Sequence, residues 1–186
     1  MGNLIEKNNL KNVILIIISY LICFVITRLA LNLSDKIYFS ALTIVQGFYF
    51  LAVLITVLYI FYNQNSDKRV LIFSSIGLIL YSACFYFFAK SIFSHLVSTS
   101  GIVNFIAYSS KIYFIALPLL GFLIWKLKKE NTKKLCFLLI FKIIFLLVIT
   151  FIFHYFFKNN GVLYSFPLSE FIFIIYLYLS KEKLLD

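Results

Sequence analysis

The sequence contains little charge. Charged residues make up 13% of the 186 residues, whereas hydrophobic residues make up 63%. Soluble domains contain about 25% charged residues, because a folded chain needs polar side chains to cover its water-facing surface. This chain has too few of them to do so. The composition therefore excludes a water-soluble globule and predicts a protein whose outer surface faces the lipid bilayer.

Acidic residues are scarcer than basic ones. The chain has 17 Lys and Arg against 7 Asp and Glu, which gives a formal net charge of +10. A nucleic-acid-binding protein gathers its basic residues on one patch. Here they stand in short gaps between long apolar runs, so we expect no nucleic-acid partner.

Cysteine and histidine are few, and motifs of catalysis are missing. Cys23, Cys84 and Cys136 stand singly in apolar segments without a CxxC pair, so we expect neither a disulfide framework nor a metal site. The sequence contains no HExxH, GxSxG or P-loop pattern. It therefore predicts a protein that is not an enzyme and has no cofactor.

Long hydrophobic runs dominate what remains. A helix that crosses ~30 Å of hydrocarbon needs about 20 mostly apolar residues, and six stretches meet that need. The whole chain, 1–186, is then one all-α membrane domain, a bundle of six transmembrane helices. The predicted spans are 13–31, 38–62, 70–93, 102–125, 135–157 and 161–180.

The basic residues predict the orientation of these spans. If the N-terminus is inside, the cytoplasmic segments contain eleven Lys or Arg and the outer loops contain three. Short loops rich in Lys and Arg stay in the cytoplasm. We therefore expect a multi-pass protein of the plasma membrane with both termini cytoplasmic. The inner residues are Lys7, Lys11, Lys68, Arg69, Lys126, Lys128, Lys129, Lys133, Lys134, Lys181 and Lys183, and the outer ones are Lys36, Lys90 and Lys158.

The ionisable residues inside the predicted spans include Arg28, Lys111, Lys142 and Glu170. Arg28 and Lys142 stand close enough to a span end for their long side chains to reach towards the membrane surface. Lys111 and Glu170 each lie about ten residues, or ~15 Å, into spans that run in the same direction. This common depth predicts a buried Lys111–Glu170 ion pair. Such a pair either locks the fourth helix to the sixth or lines a substrate path.

A polar stripe accompanies Lys111 on the fourth span. Asn104, Tyr108, Lys111 and Pro118 fall within a narrow arc at 100° per residue, so we expect them to face the interior along the substrate path. Pro118 frees a backbone carbonyl one turn earlier, and Pro167 does the same just before Glu170. Both prolines are predicted kinks or gate points.

Three motifs resemble the C-terminal half of a multidrug and toxic-compound extrusion (MATE) transporter. Residues 62–70 resemble the loop "YN-gap-KRV" that follows the second helix of such a half. Residues 110–122 resemble the helix "L-R-I-Y … P-x-L-G-F". Residues 161–170 read GVLYSFPLSE and resemble the opening of the last helix, "G-(I/V)-W-x-(S/A)-F-P-(I/L)-(S/A)-E". The order and spacing of the motifs agree over roughly 120 residues.

The resemblance implies a fold and an activity. MATE transporters have two six-helix halves around a central cleft and export amphipathic, often cationic, compounds in exchange for Na⁺ or H⁺. This chain has the length of one half, so the resemblance implies a half-size transporter, or a truncated relative, that acts as a homodimer or together with a missing N-terminal half. The small-molecule substrate is not specified. The alternative is a non-transporting membrane scaffold, accessory or immunity-type protein with the same fold.

Overall fold

The computed structural model describes residues 2–31, 36–63, 68–95, 97 and 100–179, with side chains from residues 9 and 39 onward in the first two ranges. Almost all of these residues are α-helical. Among the predicted features, the breaks at 32–35 and 64–67 lie outside the described residues, as do Lys181 and Lys183. The helices are α1 Gly2–Ala30, α2 Lys36–Tyr62, α3 Lys68–Ser94, α4 Ser100–Tyr113, α5 Leu117–Lys128 and α6 Thr132–Leu179.

The helices are those of a multi-pass membrane protein. In the described part of the chain, α1, α2, α3 and α6 are each long and apolar enough to cross a membrane. The α4–α5 pair is bent by 47° and passes the same test as one broken span. The predicted all-helical class is confirmed. Large apolar side chains such as Phe87, Phe151 and Tyr155 remain exposed on the outside, as expected where a helix meets lipid.

Helix α6 folds back on itself. A straight helix of its 48 residues would extend about 72 Å, more than twice the thickness of the hydrocarbon core. At Lys158, however, φ is 53° and ψ is −139°. Thr150 Oγ1 donates to Ser165 Oγ at 3.0 Å, whereas a straight helix would separate these residues by about 22 Å. Residues 132–157 (the first arm) and 159–179 (the second arm) are therefore antiparallel, and they coincide with the fifth and sixth predicted spans.

The reversal in α6 depends on a close approach at Gly161. A Cβ atom added there would lie 2.1 Å from the carbonyl oxygen of Phe153 and 2.9 Å from the Cβ of Phe157. Glycine allows the two arms to approach this closely because it has no side chain. Further from the turn, the rings of Phe141 and Tyr176 pack with centroids 5.0 Å apart, so the arms stay in contact along their length.

The break between α4 and α5 follows from Pro118. Proline has no N–H, so the carbonyl of Phe114 loses the donor that a continuous helix would provide. This carbonyl accepts instead from the backbone N–H of Leu117 at 3.2 Å and from the hydroxyl of Ser82 on α3. Pro118 itself stands in the first turn of α5, where proline is well tolerated. The predicted fourth span is thus two helices, and α3 stabilises the bend.

The core of the bundle is aromatic. Helix α1 packs mainly on α6, α2 mainly on α4, and α3 on α4 and α5. At the centre, the ring of Phe166 stacks on Tyr113 at 5.3 Å and meets Tyr49 edge-on at 5.2 Å. Aromatic pairs contribute about 0.5–1.5 kcal/mol each beyond their buried area. Such specific packing matters because lipid supplies little hydrophobic force between helices in a membrane.

Candidate functional site

The most buried charges in the described chain form an ion pair between the two arms of α6. Lys142 Nζ lies 2.6 Å from Glu170 Oε1, and each side chain is 1% exposed. The predicted pairing of Glu170 with Lys111 is therefore wrong. The expectation that Lys142 reaches towards the surface is wrong as well, because its side chain is completely enclosed.

Tyr20 of α1 completes this charged cluster. Its hydroxyl donates to Glu170 Oε2 at 3.1 Å, and Lys142 Nζ lies 3.6 Å from the centre of its ring. The ammonium and the carboxylate carry opposite charges and are in direct contact. The attraction between them is therefore mainly electrostatic, and the face of the Tyr20 ring adds a cation–π contribution. The cluster is neutral as a whole and joins α1 to both arms of α6.

The two antiparallel arms of α6 form a helical hairpin, and this hairpin explains why Glu170 pairs with Lys142 and not with Lys111. Lys142 lies ten residues after the start of α6, and Glu170 lies eleven residues after Asn159, so both are near mid-depth. A short turn places two consecutive spans side by side. Spans four and six are not consecutive, so only the packing of the whole bundle can make them neighbours. The signal available in the sequence was the similar depth of two opposite charges on consecutive spans.

A second polar network lies between α1, α2 and α4. Gln46 Nε2 donates to Thr27 Oγ1 at 2.6 Å and to Tyr113 Oη at 3.2 Å, and Gln46 Oε1 accepts from Arg28 Nε at 2.9 Å. Arg28 was expected to reach the membrane surface, but this hydrogen bond holds its side chain against the bundle. Both the nitrogen and the oxygen of the Gln46 amide are hydrogen bonded, so the network connects the three helices.

The polar stripe of α4 does not face the interior as predicted. Asn104, Tyr108 and Lys111 are all exposed. The opposite face of α4 contains the buried residues, among them Val103, Ile106, Ser110 and Tyr113. Ile106 and Tyr113 occupy the core instead, where Tyr113 accepts a hydrogen bond from Gln46 and stacks on Phe166, and the stripe faces outward. Pro118 is not part of this surface, since the bend before it separates α5 from α4.

The outward stripe borders a groove formed by α3, α4 and both arms of α6. This groove has a volume of about 530 Å³. Lys111 Nζ lies in it, 5.5 Å from the centre of the Tyr86 ring. The hydroxyls of Tyr108 and Tyr164 hydrogen bond to each other at its edge. The lining residues are Tyr86, Lys111, Ile112, Ile115, Phe153, Tyr164, Pro167, Leu168 and Phe171.

The structure thus brings only some of the predicted site residues together. Lys111 and Pro167 line the groove, and Tyr108 reaches it through Tyr164. Glu170 is buried and belongs to the separate charged cluster. Helix α6 continues through Pro167, and its non-helical residue is Lys158, nine positions earlier. The sequence reading missed Tyr86 and Tyr164 because they lie on other spans and carry no charge.

Nothing in the described part of the chain groups three or more His, Cys, Asp or Glu side chains as a metal site. Comparisons with protein-family models, characterised proteins and solved structures produced no match to this chain. The resemblance to MATE transporters therefore stays a prediction from the sequence.

Proposed function

We propose that the chain is a MATE-like half-size transporter of the plasma membrane. In this proposal, each copy crosses the membrane six times, with the arms of α6 as the fifth and sixth crossings. Two copies, or one copy and a separate six-helix half, enclose a path for amphipathic compounds. The groove around Lys111 forms one wall of that path. The observation that carries the proposal is the position of Lys111, exposed in an otherwise apolar groove at mid-depth.

The position of Lys111 argues against contact with lipid. Lys111 lies eleven residues, or about 16 Å, beyond the start of α4. An ammonium facing lipid at that depth costs ~2.5–3.5 kcal/mol on insertion scales. Its cation–π contact with Tyr86 offsets only about 0.5–1 kcal/mol of this cost, the usual contribution at an exposed site. A water-containing path between two lobes would remove most of the remaining cost.

The motifs of the MATE resemblance support the same proposal. Residues 161–170 follow the turn at Lys158 and make up the first half of the second arm, and they include Pro167, which lines the groove. Transporters of this kind use parallel repeats related by an axis along the membrane normal, so two identical halves can build one cleft. Exchange against Na⁺ or H⁺ belongs to the proposal through the resemblance alone.

Cytoplasmic termini are part of the proposal, on the basis of the eleven-to-three distribution of basic residues. We expect a reporter fused after Lys129 to remain in the cytoplasm and one fused after Asn160 to be exported. Alkaline phosphatase and green fluorescent protein fusions report the two outcomes. A periplasmic signal from the Lys129 fusion would contradict both the orientation and the number of crossings.

Cysteine cross-linking tests the two-lobed assembly. With the native Cys23, Cys84 and Cys136 replaced by alanine, we expect Asn104→Cys to form a disulfide-linked dimer in membranes treated with a mild oxidant. Asn104 lies on the exposed polar face of α4 that borders the groove. The fraction of dimer is measured on non-reducing gels.

The matched control for cross-linking is Ile144→Cys. Ile144 is 57% exposed and lies near mid-depth on the first arm of α6, away from the groove. It should remain monomeric under the same oxidation. Equal cross-linking at both positions, or none at position 104 at any protein density, would show that the groove does not face a second copy.

The alternative is a membrane scaffold, accessory or immunity-type protein. The Lys142–Glu170 pair favours it, because this pair is enclosed within one copy and, with Tyr20, joins the two arms of α6 to each other and to α1. A protein that remains monomeric and leaves the drug susceptibility of expressing cells unchanged would fit this alternative.

A further inference from the structure

The groove around Lys111 has one sign of charge. Its lining includes the ammonium of Lys111, and none of its lining residues is Asp or Glu. The two salt bridges among the described residues join Lys134 to Glu130 and Lys142 to Glu170, so neither involves Lys111. The deep carboxylate of Glu170 is already neutralised by Lys142. A cationic compound in this groove would therefore meet a like charge without a compensating acid.

The rest of the groove lining is mostly apolar and suits a hydrocarbon chain. Ile112, Ile115 and Leu168 supply aliphatic walls, and Phe153 and Phe171 supply aromatic ones. A volume of about 530 Å³ falls in the range of small-molecule sites, which are mostly apolar with a few placed polar groups. Lys111 is such a group, and the hydroxyl of Tyr164 lies on the same lining. The groove thus offers one cation and a hydroxyl beside a long apolar surface.

We infer that the groove binds an anionic amphiphile, a lipid-like molecule with a phosphate head and a hydrocarbon tail. The phosphate lies against the Lys111 ammonium, and the tail lies along the apolar walls. An ammonium attracts a phosphate oxygen, and the attraction is stronger beside apolar walls than in bulk water. This inference deepens the proposed function, since it assigns a substrate class to the same groove. It reverses the sign of charge that the MATE resemblance implies.

Binding of two detergents with the same tail and opposite heads tests this inference. The purified full chain in a non-ionic detergent is titrated with dodecyl phosphate and with dodecyltrimethylammonium, and thermal stabilisation reports the affinity of each. We expect dodecyl phosphate to bind at least tenfold more tightly. Lys111→Gln keeps a polar side chain of similar length without the charge, and we expect it to abolish this preference.

The control for net charge is Lys90→Gln, which removes an exposed lysine that does not line the groove. It should keep the tenfold preference for the phosphate. Equal affinity for both heads, a preference for the ammonium, or the same loss in Lys90→Gln as in Lys111→Gln would overturn the inference. The assay needs neither transport nor a dimer. Binding at Lys111 without cross-linking at position 104 would therefore uphold this inference and contradict the assembly of two identical copies.

Discussion

Replacing either Lys142 or Glu170 by alanine should lower the free energy of unfolding by about 3–5 kcal/mol. Each single change leaves the other charge enclosed between the arms of α6, where both side chains are 1% exposed. Loss of Glu170 also removes the acceptor of the Tyr20 hydroxyl. Thermal unfolding in detergent, followed by helical circular dichroism, measures the effect.

The double variant Lys142→Met with Glu170→Leu is the control for this prediction. It removes both charges together and fills the space with apolar side chains of similar size, so it should be close to the wild type in stability. Lys111→Ala combined with Glu170→Ala should instead show additive losses, because these two residues share no contact. Additive losses for the Lys142 and Glu170 alanine variants would show that the ion pair does not hold the hairpin.

Replacing Gly161 by alanine should destabilise the protein by about 1–3 kcal/mol, the usual cost of forcing an extra methyl group into a packed site. The new Cβ would lie 2.1 Å from the backbone oxygen of Phe153, and backbone atoms cannot rotate away as a flexible side chain would. The two arms of α6 must separate near Lys158. We expect a lower unfolding temperature and faster proteolysis at this turn.

Gly77→Ala is the matched control for Gly161→Ala. Gly77 lies inside α3, and a Cβ added there meets nothing within 4 Å. Alanine is favoured over glycine inside a helix by roughly 0.5–1 kcal/mol, so this variant should be as stable as the wild type or slightly more stable. Similar losses in both variants would mean that the close approach at Gly161 does not set the geometry of the hairpin.

The two polar features of the molecule have different consequences for function. The Lys142–Glu170–Tyr20 cluster lies within one chain and joins the hairpin to α1. The Lys111 groove lies at the outside of the chain, and the polar face of α4 beside it is exposed. In the proposed function, a substrate or a second copy acts at the groove, and the buried cluster joins the helices behind it.

The sequence by itself determined the helices and the class of protein. Apolar runs of about 20 residues, separated by short polar gaps, can be read directly from the sequence. Such a run forms a helix in a bilayer because its backbone groups must hydrogen bond to one another there. The turn at Lys158 and the break before Pro118 fall where polar residues and proline predict them. The resemblance to MATE transporters also arose at this level, from short motifs.

The tertiary structure decided which residues meet. Glu170 has two lysines near its depth, and only the hairpin of α6 shows that Lys142 lies beside it. Asn104, Tyr108 and Lys111 share one face of α4, as helical periodicity predicts. Periodicity does not say whether that face is buried or exposed. That choice depends on the packing of Ile106 and Tyr113 against other helices. Distances between spans depend on every helix of the bundle, so no single segment of the sequence contains them.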